Sequence, residues 1–169
     1  MALSDKLLAA GVTVQHKFKP GDLGALIHIH GVQNLRDYGF NEIHEAYCAR
    51  VATDFILNSH PGRSRVWLTR MAGAINGSVF ICELPDDVAQ LRLLFVDTSA
   101  RGLGLGRWLV EEAVRYCREA GFRSMFLWTV EGLDRAQKVY ADSGFVVTET
   151  KPNNAWREES REVRYELKF

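Results

Sequence analysis

The chain has 169 residues, 47% of them hydrophobic and 25% charged, and its 21 lysine and arginine residues balance 21 aspartate and glutamate residues. This length and composition predict a single globular domain over residues 1–169 with a core of its own. The absence of a basic excess argues against a nucleic-acid partner, because proteins that bind nucleic acids neutralise the phosphates with clustered basic residues.

The cysteines and the apolar segments indicate the compartment. Cys48, Cys82 and Cys117 are unclustered and odd in number, which favours reduced thiols in a cytoplasmic protein. The first residues lack a basic region followed by an apolar run, and no apolar stretch approaches the roughly 20 residues that span a bilayer. We therefore expect neither a signal peptide nor a membrane partner, and leave open whether the chain forms a homodimer.

Hydrophobic periodicity predicts a strand, two helices and two antiparallel strands in the first half of the chain. They are a strand at 12–18, helices at 23–38 and 42–58, and strands at 65–71 and 74–84. Asp22 is the predicted N-cap of the first helix, and residues 58–62 break the pattern. The two strands are predicted to join at Ala72-Gly73 rather than at Asn76-Gly77.

The second half alternates strands and helices. The predicted elements are a strand at 89–96, a helix at 106–120, a strand at 123–129, a helix at 133–143, strands at 145–150 and 162–169, and a polar loop at 151–160. A helix connects strands 89–96 and 123–129, so these two strands are predicted to be parallel neighbours in one sheet.

Residues 94–107 read LFVDTSARGLGLGR, in which a strand enters a glycine-rich turn that opens into a helix. Free amides and the positive end of the helix dipole then converge on one point, which suits a phosphate or pyrophosphate. A Walker loop is excluded because Arg107 and Trp108 follow Gly106, where Lys and Ser or Thr are needed. A dinucleotide fingerprint is excluded because its third glycine would fall on Arg107 or Leu109.

A third pattern fits. Arg101-x-x-Gly104-x-Gly106 resembles the Arg/Gln-x-x-Gly-x-Gly/Ala loop of the GNAT superfamily of acyl-CoA-dependent N-acetyltransferases, and residues 140–145 (YADSGF) resemble the Tyr-x-x-x-Gly-Phe that closes its cofactor site. The likeness covers residues 88–148; the segments QLRLLFV and LWT are similar to the acetyltransferase halves of MarR–GNAT fusions. It implies an α/β GNAT fold, with a mixed, mostly antiparallel central sheet flanked by helices.

The resemblance implies acetyl-CoA as the acetyl donor. The residues that it assigns to the cofactor are Arg101, Gly102, Leu103, Gly104, Leu105, Gly106 and Arg107 around the pyrophosphate, and Leu94, Phe95 and Val96 along the pantetheine arm. Many relatives carry Asn where this chain has Leu133, and Thr129 is the predicted substitute for that polar contact.

The resemblance also assigns catalytic roles. Tyr140 is the predicted general acid for the leaving thiolate, and a backbone N–H of residues 94–96 the predicted oxyanion donor. Gln90 stands where some relatives have a glutamate base, so a water chain or another carboxylate such as Glu83 would take the proton. Gln90 and Arg92 share a strand face, either as substrate contacts or as a structural polar lining.

Two classes of function remain open. The first is an N-acetyltransferase acting on an amine of a small molecule or a protein, and the alternative, favoured by Gln90 and Leu133, is a non-catalytic acyl-CoA-binding sensor. His44 and Cys48, four residues apart on a helix, are interpreted as a core or surface pair rather than metal ligands. Trp67, Trp108 and Trp128 are predicted to be core residues rather than a substrate cage.

Overall fold

The structure, a computed structural model, describes residues 2–58 and 62–169, so residues 59–61 of the predicted break lie outside the described part. Its elements are α1 (Asp5–Ala9), β1 (Thr13–Gln15), α2 (Asp22–Tyr38), α3 (Glu42–Asn58), β2 (Arg65–Met71), β3 (Ala74–Leu84), β4 (Val88–Val96), α4 (Leu105–Glu119), β5 (Ser124–Val130), α5 (Asp134–Asp142), β6 (Val146–Pro152) and β7 (Arg161–Lys168). A short 3₁₀ turn, Thr98–Ala100, precedes α4.

The seven strands form one sheet in the order β1-β2-β3-β4-β5-β7-β6. Neighbours are antiparallel except β4 and β5, which are parallel. The predicted mixed, mostly antiparallel sheet and its one parallel pair are thus confirmed. Helix α4 makes this crossover because it buries one apolar stripe, including Leu109, Ala113 and Cys117, while Arg115 and Glu119 pair on its exposed side.

The hairpin between β2 and β3 turns at the predicted residues. Ala72 and Gly73 have φ angles of 50° and 83°. Two successive left-handed residues form the type of two-residue turn whose twist matches that of the strands it joins. The predicted junction at Ala72-Gly73 is therefore confirmed, and Asn76-Gly77 lies inside β3.

Three features of the first 22 residues differ from the prediction. Helix α1 was not predicted; Ser4 caps it and Leu7 is buried. Strand β1 has three residues instead of the predicted seven, because the chain pairs with β2 only over that length. Asp22 is not the N-cap of α2: Gly21 is, and the Asp22 carboxylate instead accepts from the Lys19 amide and forms an ion pair with Arg70.

The parallel strands separate after a short contact. Strands β4 and β5 pair at three positions, from Val88↔Ser124 to Gln90↔Phe126, although β4 continues to Val96 and β5 to Val130. Beyond Gln90 each strand keeps its antiparallel neighbour, β3 or β7, on its far side. The carboxyl halves of β4 and β5 thus face each other across a gap in the sheet.

No helix in the described ranges is long and apolar enough to cross a membrane.

Candidate active site

A cavity of about 860 Å³ occupies the gap between the separated strands. It extends from the glycine-rich loop, past β4, β5 and α5, to residues of α2 and α3. The predicted site residues that line it are Gln90, Arg92, Leu94, Phe95, Val96, Arg101, Gly102, Gly104, Leu105, Gly106, Arg107, Thr129 and Tyr140. The fold therefore brings most of the predicted site into one continuous space.

The glycine-rich loop presents free amides to the cavity. Gly102 and Gly104 have φ angles of 74° and 84°, a conformation that disfavours side chains. Gly104 is the N-cap of α4 and provides no side-chain cap, so the first amides of the helix lack intrahelical partners. A Cβ on Gly106 would lie 3.5 Å from Val96 Cγ2, a side chain of the same cavity. This cradle of backbone donors fits a phosphate.

The charged groups near the loop are partly paired. Arg101 forms an ion pair with Asp37, and Arg107 pairs with Asp142 at 2.6 Å. Arg135 of α5, which the sequence reasoning missed, also lines the cavity and is exposed. Nothing in the sequence distinguishes it from other arginines on a solvated helix face. Leu103 does not line the cavity; it packs against the core instead.

A β-bulge shapes strand β4 beside the cavity. Ser78 pairs with Phe95 and Phe80 with Arg92, so β4 has one more residue than β3 here. Leu93 takes a φ of 47°, and its carbonyl accepts a hydrogen bond of 2.7 Å from Ser78 Oγ. Such a bulge interrupts the regular ladder, which leaves backbone groups of β4 available to a ligand in the gap.

The end of β4 is held by a residue that the sequence reasoning missed. The buried Gln33 of α2 donates from Nε2 to the Val96 carbonyl at 3.0 Å, and its Oε1 accepts from the Thr98 amide at 3.1 Å. A glutamine in an amphipathic helix gives no sequence signal of this role, because its two hydrogen-bond partners lie 63 and 65 positions away along the chain.

Tyr140 is a buried side chain whose hydroxyl makes no hydrogen bond to any described residue. Its residue is 4% exposed and its ring packs against Phe145 and Tyr165, with centroid distances of 6.0 and 5.6 Å. Within the described ranges the Tyr140 hydroxyl has no hydrogen-bond partner, and the residue lines the cavity. Burial, aided by the nearby Tyr165 and Tyr38, raises the pKa of Tyr140 above its ordinary value, so the phenol keeps its proton at neutral pH.

Glu83 lies away from this arrangement. Its carboxylate accepts from the Arg63 amide at 2.8 Å and from Arg63 Nε at 2.9 Å, and it does not line the cavity. These hydrogen bonds hold the pKa of Glu83 below its ordinary value. The structure thus separates Glu83 from Gln90 and Arg92, with which the sequence reasoning grouped it.

Two histidines and a cysteine meet at the inner wall of the cavity. Cys48 Sγ lies 3.8 Å from His30 Nδ1 and 3.8 Å from His44 Nε2. Burial lowers the pKa of His30 to about 3, with His44 adding to the effect, and lowers the pKa of His44 to about 4. Burial also raises the pKa of Cys48 to about 12. The cluster is therefore neutral at neutral pH, and the sequence pattern showed only its His44–Cys48 half.

No group of three or more potential metal ligands was found among the described residues.

The end of the cavity on the α2–α3 side is aromatic. We call Phe40, His44, Tyr47 and Trp156, with Arg92, the aromatic end. Trp156 lies 4.8 Å from His44 and 5.0 Å from Tyr47, measured between ring centroids. Trp128 is only half-buried and lines the cavity, whereas Trp67 and Trp108 are core residues as predicted.

Comparisons with known proteins agree with this architecture. The acetyltransferase (GNAT) family matches residues 29–145, more than half of the chain. An uncharacterised N-acetyltransferase of Schizosaccharomyces pombe is 37% identical over 65 residues, which are 38% of this chain and 40% of that protein. The chain thus matches less than half the length of this curated relative.

Solved structures show the same fold. An acetyltransferase from Streptococcus agalactiae superposes with a TM-score of 0.74 at 19% identity, covering 94% of this chain and 99% of that one. An acetyltransferase from Bacillus anthracis in complex with acetyl coenzyme A superposes with a TM-score of 0.55 at 21% identity, covering 66% of this chain and 65% of that one. The narrower likeness to MarR–GNAT fusions stays a prediction.

Proposed function

The chain belongs to the acetyltransferase (GNAT) family, and on that premise we propose that it transfers the acetyl group of acetyl-CoA to the nitrogen of an amine. One observation supports this most: a single cavity joins the amide cradle of the glycine-rich loop to the free hydroxyl of Tyr140. A phosphate-binding end and a proton donor in one space are what a long thioester cofactor requires.

The residues present fit this cofactor. We propose that amides from Gly102 to Arg107 bind its pyrophosphate, since Gly104 and Gly106 leave the backbone uncovered. Backbone groups of Leu94, Phe95 and Val96 bind its arm at the bulged strand. Arg135 lies exposed at the cavity wall, where it offers a further cation to the phosphates.

Acetyl-CoA supplies an activated thioester, and the chain's own groups manage charge and protons. An amide of residues 94–96 donates a hydrogen bond to the acetyl oxygen as that oxygen becomes negative. Tyr140 donates its proton to the sulfur as the carbon–sulfur bond breaks. The Tyr140 phenol is protonated at neutral pH and so has a proton to give, although burial, by raising its pKa, makes it a weaker acid.

A neutral histidine is the base that the geometry favours. No aspartate or glutamate lines the cavity in the part of the chain that the structure describes, and Gln90 cannot accept a proton. His44 lines the cavity and burial lowers its pKa to about 4, so its imidazole is neutral but a weak base: it can accept a hydrogen bond from an amine that is already uncharged and pass the proton on to water. His30 is buried deeper behind Cys48.

Thiol release tests this function. Purified protein with acetyl-CoA and a panel of amines should release free CoA, and the product should gain one acetyl group by mass spectrometry. The rate should rise towards alkaline pH, because only the uncharged amine attacks. Acetyl-CoA binding without CoA release from any amine would favour the alternative acyl-CoA sensor, which the glutamine at position 90 supports.

A further inference from the structure

The aromatic end contains the groups that would meet an acceptor. It lies at the α2–α3 side of the cavity. Three aromatic rings and an imidazole line this end together with one cation, Arg92, which contacts the Tyr47 ring, and no carboxylate lines any part of the cavity among the described residues. A cationic acceptor without its own negative charge would find no counter-charge here.

Arg92 has hydrogen-bonding capacity to spare. One of its terminal nitrogens donates to the Tyr47 hydroxyl at 2.9 Å, and its guanidinium carbon lies 5.4 Å from the Tyr47 ring centroid. Its Nε is buried and has no hydrogen-bond partner within the described ranges. A guanidinium has five N–H donors and no acceptor, so the unpaired donors of Arg92 favour an anionic ligand.

These observations concern the acceptor of the reaction proposed above and rest on that function. We propose that the acceptor is an amino acid with an aromatic or large apolar side chain, whose carboxylate binds Arg92 and whose side chain packs at the aromatic end. Its amino nitrogen forms the amide bond to the acetyl carbon while the carbon–sulfur bond breaks. One proton leaves the nitrogen and one joins the sulfur, so charge and atoms balance.

The geometry disfavours two other acceptor classes. A polyamine or aminoglycoside brings several positive charges into a cavity whose only charged lining groups, in the described ranges, are arginines. A peptide amino terminus lacks a carboxylate next to its amine and would leave Arg92 unpaired.

The test compares acceptors that differ only in the carboxylate. L-Phenylalanine, L-phenylalaninamide and phenethylamine share a ring and a primary amine, and kcat/KM for thiol release is measured for each. Spermidine and a peptide with an amino-terminal alanine complete the panel. We expect phenylalanine to exceed the amide by about 10- to 100-fold, the range for a charge-assisted hydrogen bond.

The Arg92→Gln variant should remove this preference and leave the three aromatic amines within a few-fold of each other. Arg50→Gln is the matched control, since Arg50 is an exposed arginine of α3 outside the cavity, and it should retain the parental preference. Equal use of phenylalanine and its amide by the parent protein, or preference for spermidine or the peptide, would overturn the proposal.

Calorimetry with CoA present separates this proposal from the function on which it rests. If phenylalanine binds the parent but not Arg92→Gln, and no CoA is released, acetyl transfer is contradicted and the carboxylate site at Arg92 is supported. Release of CoA with other amines, together with no phenylalanine binding, would keep acetyl transfer and contradict the carboxylate site.

Discussion

At the scale of single residues, Tyr140 illustrates how packing prepares a proton donor. Its ring is held by Phe145 and Tyr165 rather than by a hydrogen bond on its hydroxyl. Removal of that hydroxyl should therefore leave the fold intact, because no described residue bonds to it.

Tyr140→Phe should lower kcat by roughly 100-fold, the low end of general acid catalysis, with acetyl-CoA affinity nearly unchanged. Steady-state kinetics on a confirmed acceptor, together with calorimetry for the cofactor, make the comparison. Parental kcat in the variant would leave Tyr140 as a packing residue only.

Gly106 gives the sharper test of the cofactor loop. Gly104 has a φ of 84°, so any side chain there strains the backbone whether or not a phosphate binds. Gly106 lies in α4, and its Cβ would make only an ordinary contact, with Val96. Gly106→Val should change stability by less than about 1 kcal/mol and weaken acetyl-CoA binding by roughly tenfold, because its two methyl groups crowd the amides that open α4.

Gly24→Val is the matched control, because Gly24 is a helical glycine of α2 with open space around its Cβ and lies outside the cavity. It should change stability similarly and leave cofactor affinity as in the parent. Unchanged affinity in Gly106→Val, measured by calorimetry, would contradict the placement of the pyrophosphate.

At the scale of elements, the bulge in β4 lies where the sheet borders the proposed reaction site. The extra residue lies next to the predicted oxyanion donor, and Ser78 of β3 holds Leu93 in its left-handed conformation. The gap between β4 and β5 provides the space for a ligand, because the pairing of the two strands stops at Gln90.

Ser78→Ala should cost about 1 kcal/mol of unfolding free energy and lower kcat several-fold, because the Leu93 carbonyl loses its hydrogen bond and the bulge loosens. Ser64→Ala is the control: Ser64, just before β2, accepts through its Oγ from the Glu83 amide of β3 at 2.9 Å, away from the cavity. It should cost similar stability without the loss of kcat. Equal kcat in the two variants would show that the bulge needs no support from Ser78.

At the scale of the whole molecule, the α2–α3 layer closes the cavity and buries neutral histidines within it. His30 stacks on Phe95 at 4.6 Å between centroids, so α2 is packed directly on the bulged strand. Groups that face the two histidines are Cys48 of α3, Tyr47 and the Trp156 ring.

This burial predicts a loss of stability in mild acid. The folded pKa values, about 3 for His30 and about 4 for His44, lie below the ordinary 6.5 of the unfolded chain. The unfolded state therefore binds more protons as pH falls below 6.5, and each histidine should cost about 2 kcal/mol at pH 5. Carboxylates with lowered pKa values, such as Asp22, act only nearer their ordinary 3.8.

Urea unfolding between pH 7 and 5 measures this slope. His30→Gln should remove about half of this slope, because His44 keeps its share. His28→Gln, which removes an exposed histidine from the same helix, is the control. A parental slope in His30→Gln would mean that His30 is not buried as a neutral imidazole.

The sequence by itself determined the order of the helices and strands from β1 onward, the single parallel pair and the loop that begins α4. These follow from local signals: periodicity distinguishes helix from strand, glycines mark left-handed turns, and a crossover helix makes its flanking strands parallel. The cofactor loop and Tyr140 were placed by motif alone, and the structure brings every residue from Arg101 to Arg107 except Leu103 to the cavity.

Only the tertiary structure decided the aromatic end of the cavity. Tyr47 and Trp156 lie on separate segments and carry no local pattern, so only the packing of those segments brings Tyr47 to Arg92 and Trp156 to Tyr47. The same packing removed Glu83 from the site, since Arg63 binds its carboxylate outside the cavity. Periodicity reports which face a residue occupies; contacts between distant segments depend on how those faces are assembled.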